Sequence, residues 1–132
     1  VFSEGEDERV LRAVQVLIDE KIANPILIGR PAVIARRVER FGLRMNPGVD
    51  VDVCNPEFDE RYRDYWQTYH RLTERKGVTE SYARLEVRRR NTLIGSLMVL
   101  KGEADGLICG TIGQTGAHLH YIDQVIGHEE GA

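Results

Sequence analysis

Apolar residues recur along this chain with two different periods, and the change of period divides it into strands and helices. Short apolar runs at 1–3, 26–28 and 107–109 are typical of buried strands, and alternating valines and aspartates over 49–53 are typical of a strand with one wet face. Between these runs, apolar residues at helical spacing with Asn, Pro, Thr and Gly at the boundaries predict six helices. These cover residues 7–22, 31–41, 56–76, 80–90, 91–102 and 118–126.

Strand and helix alternate throughout, and most strands are apolar on both faces. This pattern predicts an α/β fold, a three-layer α/β/α arrangement around a mainly parallel sheet. In such folds the ligand crevice lies at the carboxyl ends of the strands. We therefore expect any functional site at that edge of the sheet.

Composition narrows the class of protein. The 132 residues suffice for one compact unit, and the formal charge of -3 does not favour a dedicated nucleic-acid binder. No apolar run approaches the roughly 20 residues of a membrane span, so no membrane partner is expected. Two distant cysteines, Cys54 and Cys109, favour reduced thiols and a cytoplasmic location. Because the chain opens without Met and stops inside a helical pattern, we expect it to be a fragment.

A glycine-rich segment, Gly110 to Gly116, stands between a predicted strand and a predicted helix. Glycines let backbone N–H groups converge on an anion at a helix start, and Thr111, Gln114 and Thr115 add side-chain donors. The spacing matches neither the dinucleotide fingerprint nor the Walker loop. The segment is therefore a candidate phosphate-binding loop, or alternatively a βα connection without a ligand.

Three further patterns have both a functional and a structural interpretation. The run Arg88–Arg90 could contact phosphate or RNA, although a solvated helix face is favoured. The aromatic residues from Phe58 to Tyr69 could stack on bases, but their helical period favours rings in the core and arginines outside. Cys109 is favoured as an inert thiol, and His118 with His120 lack the third ligand that a metal site needs.

Several strings of the sequence resemble a known family. The opening F-S-E-G-E-D-E-R-V-L-R-A, R-K-G-V-T at Arg75–Thr79 and L-K-G-E-A-D-G-L-I-C-G at Leu100–Gly110 resemble phosphate acetyltransferases. The strings P-I-L-I-G-R-P, G-V-D and I-C-G-T-I-G are similar to the phosphotransacetylase-like region at the C-terminus of large hybrid NADP-dependent malic enzymes of bacteria. The resemblance implies a two-lobed architecture like that of isocitrate dehydrogenases. Residues 1–132 would form its first lobe, without the second lobe and the returning C-terminal segment.

The resemblance also implies where the family's site residues fall. The Ser-Gly of active members is replaced here by a pair that begins with Cys109, and a site hydroxyl falls on Thr115. The family aspartate falls on Ala117, and two phosphate-binding arginines fall on His120 and Thr73. Since acyl-phosphate chemistry depends on fixed positive charge, we expect a ligand pocket without turnover.

The function implied by the resemblance is a regulatory, catalytically silent acyl-CoA-sensing and assembly module of a malic enzyme. The alternatives are an active phosphate acetyltransferase and a purely structural unit. NADP and Mg²⁺ or Mn²⁺ are expected in the malic-enzyme half, outside this chain, with acetyl-CoA as an effector and self-association into a homo-oligomer. No catalytic residue or metal ligand is assigned within this chain. The candidate acyl-CoA or phosphate ligands are Gly110, Thr111, Gly113, Gln114, Thr115 and His120.

Overall fold

The structure, a computed structural model, describes residues 1–111 and 115–127. In this part of the chain helices and strands alternate before a group of consecutive helices follows. The elements are α1 (Glu8–Asp19), β1 (Ile26–Ile28), α2 (Pro31–Arg40), β2 (Asp52–Cys54), α3 (Tyr62–Thr73), a 3-10 turn (Glu74–Lys76), α4 (Glu80–Arg89), α5 (Asn91–Leu100) and α6 (Thr115–Val125).

All strand pairing is parallel. β1 pairs with β2, with Leu27 opposite Val53. Phe2 extends this pairing by single parallel bridges, to Leu27 on one side and to Ile108 on the other. The spatial order is therefore β2, β1, the Phe2 segment and the Ile108 segment, which is third, second, first and fourth along the chain.

Helices cover both faces of this sheet. Neighbouring residues of a strand point to opposite faces, and in β1 both directions are fully buried. Leu27 packs in one apolar cluster with Leu11 of α1 and Ile34 of α2. Ile28 packs in the other cluster with Tyr65 of α3 and Leu97 of α5. This arrangement confirms the predicted three-layer α/β/α fold.

The start of α1 follows the sequence prediction. The side chain of Asp7 accepts hydrogen bonds from the backbone N–H groups of Arg9 and Val10, and so caps the helix. Burial acts to raise the pKa of Asp7, but the hydrogen bonds from Arg9 and Val10 outweigh it and hold the pKa below its ordinary value. The negative charge expected at this helix start is therefore well placed.

The strand predicted over 49–53 is wrong at its beginning, because Val49 is 82% exposed and pairing in β2 starts at Asp52. Residues 46–50 form a turn instead, in which the backbone N–H groups of Val49 and Asp50 bind the carbonyl of Asn46. The Asp50 carboxylate accepts from the Asn46 N–H at 2.8 Å. These local bonds compete with strand pairing.

The long helix predicted from position 56 is also wrong at its start, since α3 begins at Tyr62. Asn55 and Asp59 accept hydrogen bonds from backbone N–H groups two residues later, at 3.0 and 2.9 Å, and these turns replace the first helical turns. Phe58 is consequently 83% exposed and does not join the aromatic stripe. The core interpretation is confirmed for Tyr65, Trp66 and Tyr69, whereas Tyr62 is only partly buried.

Two further helix starts differ from the prediction. Asn91 and Thr92 do not cap α5, because the Asn91 amide donates to the carbonyl of Ser3 at 3.0 Å, across the interior. The last helix begins at Thr115 rather than His118. Both differences arise next to the carboxyl edge of the sheet.

Candidate functional site

The strand order locates a crevice at the carboxyl edge of the sheet. The first and fourth segments, those of Phe2 and Ile108, lie side by side and are parallel. From Ser3 the chain continues to α1 on one face of the sheet, and from Cys109 it continues to α6 on the other. A reversal of strand order of this kind opens a gap between two connections, where ligands of doubly wound folds bind. The structure has a pocket at this point, which we call the switch-point pocket.

The switch-point pocket has a volume of about 420 Å³ and a mixed, strongly charged lining. It collects residues from the first strand segment, the start of α1, α2, the α4–α5 junction and α6. The lining residues are Ser3, Glu4, Glu6, Asp7, Arg37, Arg89, Arg90, Asn91, Thr92, Ala117, His118 and Tyr121.

Glu4 joins the two strand connections that border this pocket. One carboxylate oxygen accepts from the backbone N–H of Gly110 at 3.0 Å, and the other accepts from the Ser3 hydroxyl at 2.9 Å. An N–H of the glycine-rich loop therefore already binds a carboxylate of the protein. An incoming anion would have to displace Glu4 to use the Gly110 N–H.

His118 is the polar side chain that α6 contributes. Its Nδ1 lies 2.6 Å from the Thr92 hydroxyl, and its Nε2 lies 3.8 Å from the Glu4 carboxylate. The His118 side chain is only 15% exposed, so these two contacts fix the orientation of its ring. Both nitrogens of the imidazole therefore already face polar groups of the protein.

The positive charge of the pocket comes from three arginines. Arg37 donates to the backbone carbonyl of Glu6, which holds its guanidinium at the pocket. Arg90 lies 3.7 Å from the carboxylate of Glu86, a residue that is only 4% exposed. In the described part of the chain no carboxylate lies within 4.0 Å of the Arg37 or Arg89 guanidinium. Arg89 is therefore available to an anionic ligand, whereas Arg37 already donates to the Glu6 carbonyl, and its charge helps to lower the pKa of the Glu6 carboxyl.

The structure separates the predicted site residues from this pocket. Gly110 and Thr111 lie beside it, with the Thr111 carbonyl accepting from Arg9 at 3.4 Å. Thr115 and His120 are exposed on α6, and the His120 ring packs edge-on against Tyr121. The two remaining candidates, Gly113 and Gln114, lie outside the described residues.

The two positions that the resemblance aligns with phosphate-binding arginines hold no guanidinium group here. Thr73 is 1% exposed, and its hydroxyl donates to the Tyr69 carbonyl at 2.7 Å within α3. His120 is not among the residues that line the pocket. The two family arginines are therefore absent, as the resemblance implies, but three other arginines, Arg37, Arg89 and Arg90, line the pocket.

Sequence reasoning missed most of the pocket lining. Ser3 ends the first predicted strand and Glu4 directly follows it, so the rule of the carboxyl edge could have found them. The interpretation of Arg88–Arg90 as a solvated face agrees with the exposure of all three residues, although Arg89 and Arg90 also line the pocket. Arg88 lies 4.4 Å from the centre of the Tyr62 ring. No local pattern marks Arg37 as a pocket residue, since only the folded chain brings it to Glu6.

Both cysteines have properties of unreactive thiols. Burial raises the pKa of Cys54 to about 12, helped by the negative charge of Asp59. Burial and then the charge of Glu4 raise the pKa of Cys109. Thiolate is the nucleophilic form, so a raised pKa agrees with the interpretation of Cys109 as inert.

The described residues contain neither a membrane-spanning helix nor a cluster of metal ligands. In residues 1–111 and 115–127, no helix combines the length and apolarity that crossing a membrane requires. The same residues hold no group of three or more His, Cys, Asp or Glu side chains that fits a metal ion.

The chain is similar to proteins with two kinds of name. An NAD-dependent malic enzyme of Rhizobium meliloti is 54% identical over 131 residues, which are 99% of this chain and 17% of that protein. An NADP-dependent malic enzyme of Escherichia coli is 43% identical over the same shares of both chains. A phosphate acetyltransferase of Bacillus subtilis is 35% identical over 99% of this chain and 39% of its own length. The chain thus spans less than a fifth of the malic enzymes that it matches.

Solved structures give the same result for the fold. A phosphotransacetylase of Staphylococcus aureus superposes with a TM-score of 0.86 at 26% identity, over 98% of this chain and 38% of that one. The family model described as "Phosphate acetyl/butaryl transferase" matches residues 1–132. This chain belongs to the phosphate acetyl/butaryl transferase family.

Proposed function

We propose that this chain is the first lobe of an acyl-CoA-sensing module within a longer malic enzyme, and that the module binds its ligand without turning it over. The observation that carries the proposal is the switch-point pocket, which is lined by three arginines while positions 73 and 120 hold Thr and His in place of arginine. Malate oxidation with a nicotinamide cofactor and a divalent metal would belong to another part of the longer protein. The two free thiols, Cys54 and Cys109, favour a cytoplasmic location.

The pocket supports binding of an anion. Arginine is the side chain best suited to phosphate, because its planar guanidinium donates two parallel hydrogen bonds. Arg37 and Arg89 reach the pocket from different helices, and Asn91 adds a polar side chain between them. A phosphate-bearing carrier of an acyl group, such as acetyl-CoA, fits this chemistry.

The carboxylates of the same pocket support the absence of turnover. Three acidic side chains line it beside the three arginines, so its formal charge is balanced. A doubly charged acyl phosphate needs an excess of fixed positive charge in the transition state. Binding of an extended ligand through a few contacts tolerates this balance, whereas catalysis on a small dianion does not.

Active phosphate acetyltransfer is the alternative, and Arg89 with Arg90 is the observation that favours it. These side chains end α4 at the rim of the pocket, where they could replace the arginines missing at Thr73 and His120. The two functions differ in whether CoA is released in the presence of phosphate.

The test uses the longer protein that contains this chain, with the Bacillus subtilis phosphate acetyltransferase assayed beside it. Calorimetry measures acetyl-CoA binding, and phosphate-dependent release of CoA measures turnover. We expect binding, with turnover at least about a thousandfold below the comparison enzyme, since one missing oxyanion donor costs about 10²–10³ in rate. Arg89→Ala should weaken binding about tenfold, while Arg63→Ala, an exposed arginine of α3, should leave it unchanged.

Each alternative has its own outcome. Turnover comparable to that of the B. subtilis enzyme would establish a working transferase. Unchanged thermal stability at saturating acetyl-CoA, together with no heat of binding, would leave a purely structural unit, because a ligand of the native state must raise stability.

A further inference from the structure

A large recess lies at the amino edge of the sheet, at the opposite end of the strands from the switch-point pocket. It has a volume of about 1050 Å³. Its border consists of the loop from α1 to β1, the turn before β2 and the loop from α5 to the Ile108 segment. Val1 lines the recess between these connections, because the Phe2 segment lies between β1 and the Ile108 segment. We call it the amino-edge recess.

The backbone of the sheet presents an unpaired donor at this recess. The Val1 nitrogen donates to the Gly106 carbonyl at 2.7 Å, and the Phe2 N–H donates to the Ile26 carbonyl at 2.8 Å. The N–H and C=O of one strand residue point to the same side, so the Ile26 N–H faces the line of the first segment just before Val1. Within the described residues, no group accepts a hydrogen bond from this N–H. One more strand residue before Val1 would place its carbonyl there and satisfy the partly buried donor.

The side chains around this point are apolar and exposed. Ile22 is 63% exposed, Val49 is 82% exposed and Ile108 is 57% exposed. All three line the amino-edge recess, although they come from three different parts of the chain. A group of exposed apolar side chains around one recess is typical of a surface that another segment or protein covers.

The charged side chains that line the recess are all acidic. They are Asp50, Asp52, Glu103 and Asp105. Asp52 lies 3.4 Å from Arg61, and Glu103 accepts a hydrogen bond from a tyrosine hydroxyl. In the described part of the chain no Lys or Arg nitrogen lies within 4.0 Å of the Asp50 or Asp105 carboxylate. Charge complementarity therefore favours an occupant that carries Lys or Arg.

We propose that the amino-edge recess is occupied by the segment directly before Val1 in the longer protein, which we call the preceding segment. This segment continues the first strand by at least one residue, so that its carbonyl accepts from the Ile26 N–H. It then crosses the recess in an extended form, with apolar side chains on Val49 and basic side chains near Asp105. The chain covers only 17% of a matching malic enzyme, so the recess is a surface through which the lobe contacts the rest of such a protein. The inference uses from the proposed function only that this chain is part of a longer protein.

The test is hydrogen exchange on the longer protein without ligand, measured by mass spectrometry with fragmentation that resolves Ile26. The recess variant, Val49→Ser with Asp105→Lys, changes two exposed side chains, so the lobe should stay folded. The matched control, Val16→Ser with Glu39→Lys, makes the same changes at exposed positions of α1 and α2. We expect the preceding segment and the Ile26 amide to exchange slowly in the wild type and in the control. Both should exchange at least about tenfold faster in the recess variant.

Rapid exchange of the preceding segment in the wild type, or slow exchange in the recess variant, would overturn the proposal. Light scattering on the same samples detects a different occupant. If the recess variant loses protection and an oligomer dissociates, while the control stays assembled, a second copy of the chain covers the recess and the proposal is wrong. If the assembly is unchanged and only the preceding segment and Ile26 exchange faster, the proposal stands. Because no nucleotide is present, a failure of acetyl-CoA binding would overturn the proposed function and leave this result in place.

Discussion

At the scale of single residues, the most demanding group in the interior is the carboxylate of Glu86. It is 4% exposed, accepts a hydrogen bond from the Tyr121 hydroxyl at 2.5 Å and has Arg90 at 3.7 Å. A buried charge without such partners is strongly unfavourable. The pair also connects α4 to α6, and both residues stand next to the switch-point pocket.

Tyr121→Phe should therefore destabilise the protein by about 1–3 kcal/mol, because the lost hydroxyl leaves a buried carboxylate short of a donor. The measurement is the free energy of unfolding from urea denaturation. Tyr62→Phe is the matched control, since its hydroxyl donates to the Arg84 carbonyl at 2.8 Å in an exposed setting. Its loss should be about 0.5 kcal/mol. Equal losses for the two variants would show that the interior does not depend on the Tyr121 bond.

At the scale of elements, the turn before α1 lies so close to β1 that it restricts which residue can occupy position 5. The Gly5 N–H donates to the Ile28 carbonyl at 3.1 Å. A Cβ at Gly5 would lie 2.7 Å from that carbonyl oxygen and 3.0 Å from the Ile28 nitrogen. Both are backbone atoms of a buried strand, so they cannot move aside.

Gly5→Ala should accordingly lower the free energy of unfolding by about 2 kcal/mol or more, as in other overpacked interiors. Gly95→Ala in α5 is a useful comparison. Its new Cβ would lie 2.5 Å from the Leu107 Cδ1, but this is the end of a flexible side chain. Alanine also favours a helix by about 1 kcal/mol over glycine, so the net change should be below about 1 kcal/mol. The prediction fails if Gly95→Ala destabilises as strongly as Gly5→Ala in urea denaturation.

The elements also show what sequence patterns can predict. Within the described residues, the apolar periods of the sequence predicted all six helices and all four strand segments, because burial on one face imposes these periods on the sequence. The patterns failed where side chains bind the backbone of their own turn, as Asn55, Asp59 and Asp50 do. They also failed at Asn91, whose partner Ser3 is 88 positions away. Such a partner is set by the tertiary fold and leaves no local pattern.

The candidate site is lined by residues from several helices and connections, so it depends on the tertiary fold more than any single helix or strand does. Sequence reasoning placed the site at the carboxyl edge, where the switch-point pocket lies, and the glycine-rich loop lies beside the pocket through Gly110. The charged lining came from elsewhere, with Arg37 from α2 and Arg89 from α4. A motif search follows one loop, whereas a crevice at a reversal of strand order collects side chains from several connections.

At the scale of the whole molecule, three carboxyl groups resist protonation in the folded state, two at the start of α1 and one before α3. The pKa values of Glu6, Asp7 and Asp59 are all lowered, despite the opposing effect of burial. For Glu6 the main cause is the side-chain hydrogen bond from Arg30, whose guanidinium donates at 2.8 and 3.1 Å. Glu6 thereby ties the start of α1 to the start of α2.

This arrangement predicts the direction in which stability changes with pH. A group whose pKa is lowered by folding binds fewer protons in the folded state, so its stabilisation is present above its ordinary pKa and is lost as the pH falls through the folded value. For Glu6 the ordinary value is 4.5. The free energy of unfolding should therefore decline as the pH falls below that value, and Glu6→Gln should show a shallower decline. Urea denaturation at intervals from about pH 7 to about pH 2 measures both curves. The exposed carboxylate of Glu20 supplies the control, since Glu20→Gln should leave the curve parallel to the wild type. Curves for wild type and Glu6→Gln that stay parallel over the whole range would show that the Arg30 bond does not link protonation to folding.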